Sequence, residues 1–315
     1  MNNLLRLIGR RLVALPIMVI GVTFLVFALM KLSPIDPAYS ALGDSATPAQ
    51  LEAYRASHGL NDPWYVQFGN YLVGMVQGDL GTYGQNNASV SEKVFSALPV
   101  TLQLTFLGLI IAVVVALPLG ILAALYRDTW VDQVIRVFSV ICIAMPSFWL
   151  AILLVLAFIG KLPVAGPLPS ITADFNGWLQ RMFLPAVALA TPVVGQLTRV
   201  IRTSMVEELD RDYVRTALGA GIPKSVVVSR NVLRNALITP VTVLGLRVGY
   251  LMGGAVVIEI IFSLPGMGRV LIDGISMNWV QVVQGATLTV AVAFIIINII
   301  VDLLYIAINP RIRAV

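Results

Sequence analysis

The sequence predicts an all-α polytopic membrane protein, and three observations lead there. Of 315 residues, 58% are hydrophobic and 12% charged, with a mean hydropathy of +0.89; a soluble domain carries about 25% charged residues. Six apolar runs each reach the roughly 20 residues a helix needs to cross the hydrocarbon layer. Lysine and arginine are also unevenly placed around the ends of these runs. Fourteen of the 21 flank one side, six flank the other, and Arg247 falls inside a run. Basic residues collect on the cytoplasmic side, so both termini are expected there, consistent with an even number of spans.

The first segment, 1–32, is a short N-terminus and the span 12–32, preceded by Arg6, Arg10 and Arg11. Its apolar run is too long for a signal peptide, and Leu29-Met-Lys-Leu-Ser33 lacks a small-x-small cleavage site. It is expected to stay as an anchor. Residues 33–97 form the longest polar stretch and are placed outside. There Thr47-Pro-Ala-Gln50 reads as an N-cap, a first-turn proline and the third residue of a capping box. A helix over 48–57 ending at Gly59 follows, and a second over 64–76 before the Gly78-Asp-Leu-Gly81 turn. Two short helices are too little for an independent core. The segment is a lid over the outer ends of the spans or, alternatively, a mobile loop.

Residues 98–308 hold the remaining five spans, at 98–124, 134–159, 183–201, 236–262 and 282–308. Two further outer segments interrupt them. Residues 160–182 are broken by Pro163, Pro167 and Pro169, and 263–281 opens on Leu264-Pro-Gly-Met-Gly-Arg269, whose Pro-Gly pair marks a tight turn. Residues 309–315 are a cytoplasmic tail.

Within this core, 203–235 is a polar island between apolar spans. It runs from Met205 through Glu208, Asp212, Tyr213, Arg215, Thr216 and Ala217 to Gly221, Pro223 and Ser225. It reads as a short helix, a break at Gly221 and a second helix started by Pro223, since glycine ends helices and proline opens them. A compact charged helix–turn–helix on one side of a membrane is a docking surface for a soluble partner. Gly219-Ala-Gly-Ile-Pro-Lys-Ser225 does not have the G-x-x-x-x-G-K-[ST] spacing of a phosphate loop, and no strand leads into it. The chain therefore has no visible means of binding ATP.

One cysteine, Cys142, and one histidine, His58, exclude a disulfide framework and speak against a multi-ligand His/Cys metal site. The net charge of +5 is no nucleic-acid footprint, because the basic residues border the spans. No serine or acid is arranged for nucleophilic catalysis, and His58, before Gly59, is placed to cap carbonyls. Charge inside a span is costly and points to function. Arg247 is mid-span, Glu259 lies at the outer end of the same span, and Asp302 sits one turn after Asn298 in the last. Arg247 and Glu259 stand roughly 18 Å apart along a helix, too far to pair within it. Arg247 faces a water-filled cavity or a structural partner. Glu259 is a gate or an interface anchor, and Asp302 a packing group. Prolines 118, 146, 185, 192 and 240 are kinks that membrane helices tolerate. Met145-Pro-Ser-Phe-Trp149 is a kink that either lines a path or packs helices. Gly249, Gly253 and Gly254 form a small-residue strip for close helix approach.

Further runs, in order, are Arg10-Arg-Leu12, Gly78-Asp-Leu-Gly81, Pro146-Ser-Phe-Trp149, Asp212-Tyr-Val-Arg-Thr-Ala217, Leu233-Arg-Asn-Ala236, Phe262-Ser-Leu-Pro-Gly-Met-Gly268, Val283-Gln-Gly285, Val301-Asp-Leu-Leu-Tyr305 and Asn309-Pro-Arg-Ile-Arg313. On these the chain resembles a dipeptide/oligopeptide-type ABC-importer permease, the first of two paralogous membrane subunits. The polar island, about 203–235, resembles its EAA loop, with Ala217 through Gly221 at the Ala-rich turn and glycine.

The resemblance implies a type I ABC importer permease fold, with six transmembrane helices, a small outer helical cap and a cytoplasmic coupling (EAA) helix. It implies a bacterial inner-membrane protein working with a second permease, two cytoplasmic ATPases, an extracytoplasmic substrate-binding protein and membrane lipid, with no nucleic acid. ATP and Mg belong to the ATPases, and no cofactor or metal to this chain. By the same resemblance, Glu208, Asp212, Tyr213, Arg215, Thr216, Ala217, Gly221 and Pro223 couple to the ATPases. Read from the kink and the charges within the spans, Met145, Pro146, Ser147, Phe148, Arg247 and Glu259 are the candidates to line the path or its gate. ATPase closure would push on the helix around 213–221 and swing spans three to five from inward-open to outward-open.

Two departures from the family pattern stand out. Leu218-Gly-Ala-Gly221 replaces a basic or polar turn, and Arg247 stands where the family commonly has glutamine. Substrates other than peptides, namely nickel complexes, glutathione or oligosaccharides, are carried by similar permeases. A stand-alone secondary transporter would show internal symmetry, and none is visible.

Overall fold

The computed structural model describes residues 2–32, 36–43, 46–84 and 86–308, with side chains from residue 16 to 301. The side chains of Arg6, Arg10, Arg11 and Asp302 and the 309–315 tail lie outside the described residues. The chain forms two compact units. The first comprises the described parts of Met1–Thr101 with Pro265–Ile296, and the second those of Leu102–Leu264 with Ile297–Val315.

The first unit starts with α1 (Asn2–Lys31) and a cap of three helices, α2 (Pro37–Leu42), α3 (Pro48–Ser57) and α4 (Trp64–Gln77). The expected capping box is present. Thr47 Oγ1 accepts the Gln50 amide at 3.4 Å, and Gln50 Oε1 accepts the Thr47 amide at 2.8 Å, satisfying orphan donors at the helix start. His58 caps the far end, its amide donating to Tyr54 and its Nδ1 3.0 Å from the same carbonyl. Arg55 Nε donates to Asp36 Oδ2 at 2.9 Å and so ties α3 to the start of α2. The cap packs on α1 through rings: Phe68 of α4 sits 5.4 Å from both Phe24 and Phe27.

A two-residue hairpin, β1 (Thr82–Tyr83) with β2 (Ala88–Ser89), then leads into α5 (Val90–Leu125). Tyr83 packs 4.7 Å from Trp279, and the Lys93 ammonium lies 5.0 Å from both rings. This pins the hairpin beside the turn between α13 (Met267–Ser276) and α14 (Val280–Ile308). Neither α2 nor the hairpin was expected from the sequence.

The second unit is organised around α8 (Phe175–Leu209). The expected span 183–201 is only its middle. Nearly three-quarters of its most apolar window is buried, as expected of a helix at the centre of its unit. Small residues let neighbours in. A Cβ on Gly195 would lie 2.5 Å from the Ser139 carbonyl, so α6 (Trp130–Ala144) touches α8 backbone to backbone. A Cβ on Gly120 would lie 2.6 Å from Ile201 and close the α5–α8 contact. On the other flank is α12 (Ile238–Ile261), where Gly254 would bring a Cβ within 3.1 Å of Leu189. The glycine strip on α12 thus serves contact with α8 at Gly254, while Gly253 faces open space.

One expectation needs correction. The run 134–159 is not a kinked continuous span but two helices, α6 and α7 (Ser147–Phe158), bent by 98° at Met145–Pro146. Pro146 has no amide hydrogen, and its ring drives Met145 out of the helical region; Met145 is extended at φ −81°, ψ 117°. Among the described residues, α5, α8, α12 and α14 are each long and apolar enough to cross a membrane. The α6–α7 pair supplies a fifth span if counted as one, and Pro16–Lys31 is the apolar part of α1.

Candidate coupling surface and translocation cavity

At one end of α8 the chain turns at Asp210 and re-enters helix as α9 (Asp212–Gly219). The inward residue, Val214, is 4% exposed and joins Met205 of α8 with Val227, Val232 and Ala236 in a buried cluster. The outward residues Asp212, Arg215 and Thr216 do not share that burial, and the stretch from Leu218 to Val226 is exposed throughout. Tyr213 donates its hydroxyl to Glu208 Oε2 at 2.9 Å, locking α9 to the last turn of α8. Burial, with that carboxylate beside it, raises the Tyr213 phenol above its ordinary value.

The helix ends as the sequence requires. The Gly221 and Ile222 amides donate to the Leu218 and Ala217 carbonyls at 3.0 and 3.2 Å, and Gly221 has φ +80°. These are the two hydrogen bonds of the Schellman motif, with glycine where the left-handed residue falls. Pro223 then caps α10 (Lys224–Val226), which passes through a π-helical turn, Val227–Val232, into α11 (Leu233–Ala236). Glu208, Tyr213, Ala217 and Gly221 are thereby drawn into one folded module, with Asp212, Arg215, Thr216 and Pro223 on its outer surface.

Beneath this module lies an ionic network that the sequence does not announce. Asp132, fully buried at the start of α6, accepts two hydrogen bonds from Arg202 of α8, at 2.6 and 2.7 Å. It also accepts the Asp128 amide at 3.1 Å and has Arg136 Nε at 3.6 Å. Arg127, after α5, pairs with Asp210 at 2.9 Å. Only the Asp132–Arg136 step of four is visible as a helical pair; Arg202 is seventy residues away.

Arg181 is a second residue that sequence reasoning misses. By position it counts among the outer basic residues, yet it is 1% exposed. Its guanidinium donates to the carbonyls of Val164, Gly166, Phe262 and Ser263, tying the 160–182 loop to the end of α12.

Arg247 lines a cavity of about 440 Å³ between α8 and α12, with Ile143 of α6 at its edge. Gln196, Arg199, Thr203 and Glu207 complete the side facing it. Met145, Pro146, Ser147 and Phe148 form the α6–α7 corner and do not line that cavity; Phe148 and Trp149 are about half exposed. Glu259 is fully buried on α12. Among the described residues no group of three His, Cys, Asp or Glu side chains could hold a metal.

This fold is shared with solved ABC transporters. The inward-facing MetNI methionine ABC transporter aligns with a TM-score of 0.55 over 69% of this chain and 96% of its own, at 15% identity. An amino acid ABC transporter gives 0.52 over 70% and 94%, also at 15% identity. The sequence then fixes the family. Residues 116–314 match the binding-protein-dependent transport system inner membrane component, and residues 4–105 match the N-terminal component of the same system. The chain belongs to this family.

A Brucella abortus protein named as a candidate peptide transport system permease is 41% identical over 95% of this chain and 96% of its own. The dipeptide transport system permease protein DppB of Alkalihalophilus pseudofirmus is 35% identical over 96% and 98%. The glutathione transport system permease protein GsiC of Salmonella choleraesuis is 39% identical over 98% and 99%. The chain is thus the non-catalytic, multi-pass inner-membrane permease of an ABC importer, served by a partner ATPase and a substrate-binding protein.

Proposed function

We propose that this permease imports di- and oligopeptides, forming half of the translocation path beside a second, paralogous permease in the lipid bilayer. In this reading the chain crosses the membrane six times with both termini in the cytoplasm, the α9–α10 module docks there on two ATPases, and residues 33–97 form an extracytoplasmic cap. ATP and Mg act on those partners, and this chain carries no cofactor of its own.

The observation that carries the coupling role is the module itself. A stiff, exposed helix–turn–helix is rooted by Val214 and by the Tyr213–Glu208 hydrogen bond in α8. A push on α9 therefore reaches the helix that α5, α6, α7 and α12 all touch, and interfaces packed this closely shift as bodies. Pressure at the module moves α8, and α8 carries the cavity wall.

The peptide reading is supported by relatives named for dipeptides and for glutathione, itself a peptide, at similar identity over nearly the full chain. Uptake by the reconstituted importer tests it. Labelled di- and tripeptides, glutathione, a nickel chelate and an oligosaccharide are offered in parallel, with ATP as the only energy source. Peptide or glutathione uptake is expected. Uptake of the chelate or the sugar alone would replace the substrate class while leaving the permease role in place.

A further inference from the structure

The cavity that holds Arg247 contains a second cation. Gln196, Arg199, Thr203 and Glu207 follow one another at steps of three and four along α8, which places them on one face. Thr239, Val243 and Arg247 do the same along α12, and both stripes line the cavity. Among the described residues, neither Arg199 nor Arg247 has a carboxylate within 4.0 Å. Arg247 Nε is buried and makes no hydrogen bond, and Gln196 Oε1 is in the same position. The one acid in the lining, Glu207, lies two turns beyond Arg199, roughly 12 Å along the helix at 1.5 Å per residue, too far to neutralise it.

A buried polar atom without a partner costs free energy until a guest supplies one. Two guanidiniums present forked donors that match an oxyanion with two oxygens, and a glutamine amide can turn either its donor or its acceptor toward a guest. The volume of about 440 Å³ falls within the range of about 300–1,000 Å³ typical of small-molecule sites.

We infer that Arg199, Arg247 and Gln196 form a carboxylate-binding subsite inside the permease, which takes the free C-terminal carboxylate of the peptide in transit. The subsite rests on the peptide reading only for what carries the carboxylate; the anion chemistry follows from the cavity. The permease then contributes its own selection after the binding protein has made the first.

The test uses the complex of both permeases with both ATPases in nanodiscs, without the binding protein, so that only sites in the transporter are read. Binding of N-acetyl-dialanine and of its C-terminal amide is measured by titration calorimetry. Losing a hydrogen bond to a charged group is worth about tenfold or more in affinity where the donor is shielded from water, as Arg247 Nε is, so the acid should bind about tenfold or more tighter than the amide. Arg199→Gln and Arg247→Gln should each remove most of that preference. Equal binding of acid and amide by the native complex, or a preference kept in both variants, overturns the subsite. Should Arg247→Gln fail to assemble, Arg199→Gln decides alone, because Arg199 is exposed at the cavity rim. ATP-driven uptake is measured separately: absence of peptide uptake alongside a clear acid preference sinks the peptide reading and leaves the anion subsite standing.

Discussion

At the scale of single residues, Gly221 and Asp132 carry the sharpest expectations. Gly221 has φ +80°, and a Cβ placed on it would meet no atom within 4 Å, so substitution there is strained by backbone conformation and not by crowding. An L-residue pays about 1 kcal/mol or more in that region, and a β-branched one more. Gly221→Val should insert into the membrane normally but co-purify poorly with the ATPases and lose uptake, whereas Gly221→Asn should retain most of both. Full uptake by Gly221→Val would show that the turn is not needed. Asp132 is a different case. Removing one member of a buried ion pair costs about 3–5 kcal/mol, while replacing both with apolar residues is often close to neutral. Asp132→Ala should therefore lower the melting temperature of the assembled complex more than the double variant Asp132→Leu, Arg202→Met. The opposite order would mean that Asp132 is not stabilised through Arg202.

At the scale of elements, helices whose ends carry local chemistry were legible in the sequence. The Thr47–Gln50 capping box and the Gly221–Pro223 break are decided within a few residues, and α3 and α9 appear where those signals put them. The α6–α7 corner was read only as a kink, because proline chemistry announces a disturbance and not its angle. How far the chain turns depends on what α7 packs against, which is α8 and α12. The hairpin was invisible for a related reason: with two residues per strand, alternation has no length over which to show itself.

The cap offers a measurable consequence. Burial works against ionisation of Asp36, but the Ala38 amide and the Arg55 guanidinium outweigh it and hold the carboxyl below its ordinary 3.8. Its contribution is whole above that ordinary value and fades as pH falls through the lowered one. The pair is about one-third exposed, so the effect is small, up to about 1 kcal/mol. Hydrogen-exchange protection of α2 and α3 should hold at neutral pH and drop once pH falls below 3.8, and Asp36→Asn should abolish that dependence. A pH-independent cap would place its stability in the Phe24–Phe27–Phe68 contacts alone.

At the scale of the whole molecule, the chain supplies structure and movement and leaves chemistry to its partners. The Gly219–Ser225 stretch is the end of one helix and the start of the next, with no strand feeding a phosphate-binding loop. The purified subunit should hydrolyse no ATP above background, and hydrolysis should appear once the ATPases are added; sustained turnover by the subunit alone would be incompatible with the permease role. What the sequence could not disclose at this scale was long-range pairing. Asp132 with Arg202 and Arg181 with the end of α12 join residues seventy and about eighty positions apart, and nothing local marks either end.

Arg181 also bears on how such a protein would be mapped from outside. Trypsin cleaves after exposed arginine and lysine, and a topology drawn from cleavage sites takes silence as shelter behind the membrane. Arg181, near the start of α8, is sealed by four carbonyls and 1% exposed, while Lys161, in the segment before α8, is exposed. A digest should cut at Lys161 and pass Arg181 by, so silence at Arg181 reports its seal of carbonyls and carries no information on which side of the bilayer it faces.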